Sequence, residues 1–212
     1  MLNLDRLPLF IFASIVLLLT PGPAVLYIIA RSVDQGRVAG LISVLSIEVG
    51  NFFHAIAAAL GLSALLFSSE TAFNLVKYLG AAYLVYLGLR KLFSGGVNLQ
   101  ETQAEPQSLP RIFSQGVTVA ILNPKTALFF LAFLPQFVDR SRGQVGLQLL
   151  ILGCLFVTLA VVTDGMYALL ASSAGQWLKT RRRVWQAERY VVSLIYIGLG
   201  MTAALADSLP GG

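Results

Sequence analysis

Three ionisable side chains, Glu48, Lys125 and Asp164, stand in stretches of sequence that are otherwise apolar. If those stretches cross a bilayer, a charge there costs about 2.5–3.5 kcal/mol on insertion scales, and such a residue is a functional candidate by default. Asn51, His54 and Asn123 are the uncharged polar groups that could partner them. A partly desolvated acid at Asp164 could load and release a proton. A cation at Lys125 could hold a carboxylate, or it could form a fixed ion pair with Asp164. Snorkelling is difficult for Lys125, which lies about 13 residues from either end of its apolar stretch.

The neighbours of these residues repeat one idea. In "GLISVLSIEVGNFFHAIAAALG" (40–61), helical spacing puts Gly40, Ser43, Gly50, Asn51, His54, Ala58 and Gly61 on one arc, with Glu48 at its edge. Leu41, Leu45, Phe52 and Leu60 take the opposite surface. Close helix packing through small residues accounts for the glycines and alanines. It does not account for Asn51 and His54, which need a partner or water. Asp164 likewise shares a face with Gly153, Ala160, Tyr167, Ala168, Ala171 and Gly175.

Two proline breaks stand in the same setting. "LLLTPGPAVLYIIA" (17–30) places Pro21, Gly22 and Pro23 inside an apolar run, and "NPKTALFFLA" (123–132) places Asn123 and Pro124 directly before Lys125. Proline removes an amide donor and clashes with the preceding turn. Unpaired backbone is tolerated at membrane depth only against protein or a water-filled cavity. A simple kink would explain one break; two at matching positions point to a central polar pathway.

The elements that must position these residues are membrane helices. The 212-residue chain is 57% hydrophobic and 12% charged, about half the charge of a typical soluble domain. Six apolar stretches are long enough to cross, at about 7–30, 39–67, 72–93, 112–137, 145–174 and 188–206. The segment "SGGVNLQETQAEPQSLPR" (94–111) reads as a flexible linker that divides them three and three. "YLGLR" (86–90) and "YIGLG" (196–200) add a third match in the same order as the two proline breaks. Three is odd, so the second copy must enter the membrane the opposite way. The expected fold is therefore an all-α polytopic membrane protein of six helices. It forms one domain over 1–212, a 3+3 inverted-topology repeat (1–93 and 112–206) with helices 1 and 4 broken.

Composition and motifs exclude several classes. The net charge of +5 fits basic cytoplasmic loops better than nucleic-acid binding. Ten basic residues fall on loops 1–2, 3–4 and 5–6 and four on the other side, so both termini are expected outside. "MLNLDRLPLF" lacks the basic region and cleavage site of a signal peptide, so the first span is expected to be retained. Cys154 is the only cysteine, which rules out a disulfide within the chain or a cysteine metal cluster. "GLSA" (61–64) has the look of an intramembrane serine-protease motif, but the only histidine precedes Ser63 instead of lying on a later helix. No nucleotide loop or H-E-x-x-H is present, and nothing in the sequence calls for a cofactor.

"TPGPAVLYIIARSVDQGRVAGL", "VKYLGAAYLVYLGLRKL", "ILNPKTALFFLAFLPQFV" and "VTDGMYALLA" together resemble the lysine exporter (LysE) family, most closely its homoserine/threonine exporter (RhtB) branch. The resemblance runs over nearly the whole chain. It implies an exporter of amino acids or their derivatives in the bacterial inner membrane, driven by the proton gradient. Carried over by motif, its functional positions are Pro21, Gly22, Pro23, Asn123, Pro124, Lys125 and Asp164. Glu48, Asn51 and His54 rest on the physical reading alone. A related thiol-disulfide transporter group places cysteines at its two breaks; this chain has none there, so electron transfer is not implied.

The expected partners are a small amino-acid substrate, protons and the lipid bilayer, with no nucleic acid; the Gly/Ala faces would allow a homodimer. The break amides and Lys125 would take a carboxylate, and Asn51, Glu48 or Asp164 an ammonium, with Asp164 as the leading proton-coupling acid. Export of another solute such as a metal cation, and a non-transporting assembly factor, stay open as alternatives. A metal site would want several acids or sulfur ligands facing one another.

Overall fold

The computed structural model describes residues 6–68 and 107–179, with single positions inside 71–89 and at 197 and 201. The expected third and sixth spans, and most of the linker, lie outside the described residues.

The first helix, α1 (Leu7–Leu18), stops at the proline pair, and α2 (Pro23–Ser68) starts on Pro23. Within α2 the backbone leaves helical geometry at Gly36, where φ is 78°. That region is open to glycine at no steric penalty. The chain doubles back there. Ser32 lies against Gly40, and Ile28 shares a buried cluster with Val44. In a straight helix Ile28 and Val44 would stand roughly 24 Å apart. So α1 and the limb 23–35 form one broken helix, and the limb 37–68 returns beside it.

The second half is built similarly. Helix α3 (Leu109–Ile121) ends before Asn123, and α4 (Pro124–Leu128) starts on Pro124. A π-helical turn (Phe129–Phe133) and a 3-10 turn (Leu134–Phe137) extend α4. The two sides of this break bend by 42°. A short loop follows, in which Asp139 accepts from the Ser141 hydroxyl and pairs with Arg142 at 2.9 Å. Helix α5 (Val145–Lys179) then returns; its 29-residue apolar part, Val145–Ser173, is long enough to cross a membrane. The first break, the second break and the two returning helices thus lie where the sequence places spans 1, 4, 2 and 5.

Small residues set the packing. At Gly40 an added Cβ would meet Ala168 at 3.3 Å, and at Gly153 it would collide with Ala55. These two contacts place α5 antiparallel to the limb 37–68. Between helices in lipid such close backbone approach gains dispersion energy instead of hydrophobic burial. Gly50 against Ala120, and Gly116 against Ser46, set α3 parallel to the same limb. Beyond the breaks, aromatic rings fill the space between α1, the α4 extension and α5. Phe129 and Phe156 stand 4.8 Å apart, and Phe10 and Phe137 5.2 Å. Such pairs are worth about 0.5–1.5 kcal/mol beyond the area they cover.

Candidate functional site

Each proline strips one carbonyl of its helical donor, the one four residues earlier. For Pro23 that carbonyl belongs to Leu19, and for Pro124 to Ala120. Both are reached by side chains from the opposite half of the chain, and the Ala120 carbonyl also accepts the Asn123 amide at 3.1 Å. The Tyr167 hydroxyl donates to the Leu19 carbonyl at 2.9 Å. His54 Nε2 lies 3.1 Å from the Ala120 carbonyl, which can only accept, so that nitrogen carries the proton. The Lys125 ammonium donates to the carbonyl of Thr20, just past the end of α1. A cation there also meets the negative end of the α1 dipole.

The two breaks therefore face each other. Gly22 lets this happen, because an added Cβ would press on Lys125 Cδ at 3.0 Å. Asn123 holds the second break in shape. Its Oδ1 accepts from the Lys125 amide at 3.2 Å, and its Nδ2 donates to Thr126 Oγ1 at 3.1 Å.

A cavity of about 20 Å³ lies between the breaks. Gly22, Asn51, Asn123, Lys125, Thr126 and Asp164 give it a polar wall, and Leu17, Leu18, Val25 and Phe156 an apolar one. That volume suits one water and is too small for an amino acid. The limb 23–35 is tied to the start of α3 at one end. Tyr27 donates to the Ile112 carbonyl at 2.7 Å, buried Arg31 reaches Gln115 at 3.4 Å, and Gln35 donates to the Gln107 carbonyl at 2.8 Å.

Glu48 stands behind this wall. The register of α5 on the limb 37–68 puts Asp164 level with Val44, one turn from Glu48. Side chains lean toward the N-terminus of their own helix, so across an antiparallel pair these two lean toward each other. Their carboxyls act on each other through their charge, and Asn51 Nδ2 donates to Glu48 Oε2 at 3.0 Å. Glu48, Asn51 and Asp164 are 5%, 3% and 3% exposed.

Of the residues expected from the sequence, the structure brings Gly22, Asn51, Asn123, Lys125 and Asp164 to one cavity. Pro21, Pro23 and Pro124 make the breaks that border it, and Glu48 contacts it through Asn51 and Asp164. His54 is turned away, bonded to Ala120 and stacked on Phe130 with ring centres 6.2 Å apart. Sequence reasoning missed the roles of Thr20, Thr126 and Tyr167. For Tyr167 a signal existed: it follows Asp164 by three residues, as His54 follows Asn51.

The sequence pattern of LysE type translocators matches residues 15–207, which include both breaks and the acid pair. The chain belongs to the LysE type translocator family. It is 31% identical over 170 residues to the homoserine/homoserine lactone efflux protein of Salmonella typhimurium, covering 80% of this chain and 82% of that one. It is 29% identical over 208 residues to the Bacillus subtilis membrane protein YrhP, covering 93% and 97%. A Vibrio cholerae membrane protein is 28% identical over 199 residues, covering 94% and 96%. No solved structure matches the chain. As a LysE translocator the chain is a multi-pass membrane protein acting on a small solute, not an enzyme.

Proposed function

We propose that this chain is an inner-membrane efflux transporter for amino acids or their amine derivatives, working by proton antiport. The observation that carries the reading is the facing pair of helix breaks, with Lys125 on one side of their shared cavity and Asn51 and Asp164 on another. A cationic group beside freed backbone suits a carboxylate, and buried acid and amide oxygens suit an ammonium. The Salmonella efflux protein supports homoserine-like substrates.

The reading includes six spans in a 3+3 inverted repeat, with both termini outside. Paired contacts support the repeat. Gly40 meets Ala168 as Gly153 meets Ala55, which exchanges the roles of the two returning helices. Tyr167 serves the first break as His54 serves the second. Such paired relations are what two inverted copies around a central axis produce. Transport then requires the halves to rock, because the cavity is too small for substrate until they do.

The test is efflux of labelled amino acids from preloaded cells lacking their own exporters. Wild type, Asp164→Asn and Lys125→Ala are compared with and without an uncoupler. Uncoupler-sensitive efflux of a few amino acids, lost in both variants at equal membrane abundance, is the expected result. Efflux that survives both substitutions would remove the site, and no efflux from well-expressed wild type would remove the function.

A further inference from the structure

We propose that Glu48 and Asp164 form one proton-holding pair, and that its proton and the substrate ammonium compete for the same oxygens, so that loading either expels the other. This deepens the efflux reading above and rests on it.

The first support is the contact itself. Two buried carboxyls that face each other repel unless one of them carries a proton. The Glu48 and Asp164 side chains lean toward each other across two packed helices, one turn apart in register, and act on each other through their charge. Buried carboxyls that interact take up and lose protons as a unit.

The second support is the set of atoms left over. Glu48 Oε1, Asn51 Oδ1 and Asp164 Oδ1 are buried and have no hydrogen-bond partner among the described residues. Asn51 gives one amide hydrogen to Glu48 Oε2, and its oxygen stays a bare acceptor. Buried acceptors without donors are expensive to maintain. Three acceptors ask for a ligand with several hydrogens and a positive charge, and an ammonium has three N–H donors. Asn51 and Asp164 line the cavity, so a ligand there meets two of these residues directly.

Among the described residues, the groups facing the pair leave its charge simple; on the limb 23–35, Tyr27 and Arg31 are bonded to the start of α3. Lys125, from α4, lines the same cavity and acts on Asp164 through its charge. On the limb 37–68, His54 is committed to the Ala120 carbonyl; on α5, Tyr167 is turned to Leu19. Helix α1 has no titratable side chain, and α3 has only Arg111, exposed at its far end. With one proton on the pair, the Glu48, Asp164 and Lys125 charges sum to zero, which a low-dielectric site favours. When an ammonium enters, the shared proton leaves to water, and no bond of the substrate is made or broken. An amine replacing a proton exchanges one positive charge for another. The exchange therefore needs the substrate's ammonium and does not need its carboxylate.

The experiment measures binding and proton release together, on purified full-length protein in weakly buffered detergent at pH 6. Free α-amino groups titrate near 7.7–8.0 and are protonated there. Homoserine and homoserine lactone are each expected to release a proton on binding. N-acetylhomoserine, which has no ammonium, should neither bind nor release one. Glu48→Gln should lose the release, and Glu48→Asp, which keeps an acid, should retain it; the conservative pair separates a protonation role from a folding defect. Homoserine binding to wild type without proton release would overturn the competition and leave the efflux reading standing. Folded wild type that binds neither amine would overturn the efflux reading and the inference with it.

Discussion

The Lys125 ammonium reaches across 105 residues of sequence to the Thr20 carbonyl, so a side chain from one break caps the backbone opened by the other. That contact gives Lys125 a structural duty besides any contact with substrate. A buried carbonyl that loses its donor is penalised by about 1–3 kcal/mol, and charged donors lie at the upper end. Lys125→Met keeps the length and removes the charge, so it should lower the melting temperature in detergent and abolish efflux. Lys125→Arg keeps the charge and should recover most of the stability, but little transport, because a planar guanidinium does not fit where Lys125 Cδ packs against Gly22. Equal recovery of both would show that Lys125 only caps the break.

Tyr167 and His54 do the same job at opposite breaks. Tyr167→Phe deletes one oxygen, and His54→Phe keeps a flat ring against Phe130 while removing the donor. Each loses one hydrogen bond, worth about 1 kcal/mol. The two bonds share no partner, so their effects on stability should add in the double variant. Urea-free thermal melts of the three proteins check this, and strong non-additivity would mean that the breaks are energetically one unit.

The sequence carries the breaks, the buried charges and the small-residue faces because each depends on residue type at helical spacing. Pro21, Pro23 and Pro124 announce missing amides, and Gly40 and Gly153 announce close approach. The identity of the groups that repair the breaks is not written locally. Lys125 reads only as a carboxylate binder until Thr20 is seen beside it, and nothing near His54 in the chain names the Ala120 carbonyl as its partner. The Glu48–Asp164 contact depends on the register of two helices separated by more than a hundred residues. That register is set by the Gly–Ala contacts, which no periodicity within one helix reveals.

Outside the membrane helices, Asp139 organises the loop before α5. The Ser141 hydroxyl bonded to it is the first cause holding its carboxyl below the ordinary aspartate range, with the Ser141 amide and Arg142 adding to this against slight desolvation. A depressed folded value means the ionised form contributes stability above the unfolded-state value, and this is lost as pH falls through the folded one. Asp139→Asn should therefore melt below wild type at neutral pH, with the gap closing as the medium is acidified past the carboxylate range. A gap that persists in acid would show that the loop depends on the side chain's shape and not on its charge.

The paired Gly–Ala contacts can be tested by exchange. At Gly153 an added Cβ collides with the Ala55 methyl, and it would also lie 3.3 Å from both Ala55 Cα and a ring carbon of Phe130. Gly153→Ala should then force α5 away from the limb 37–68, at about 1–3 kcal/mol. Moving the helices apart also separates Glu48 from Asp164, so efflux should fall along with the melting temperature. The double variant Gly153→Ala with Ala55→Gly keeps one methyl in the same gap, transferred from one helix to the other. Thermal melts and efflux in the same preparations should both recover toward wild type. If the double variant were worse than Gly153→Ala alone, the helices would not be packed through this contact, and the antiparallel register that brings the two acids together would lose half its support.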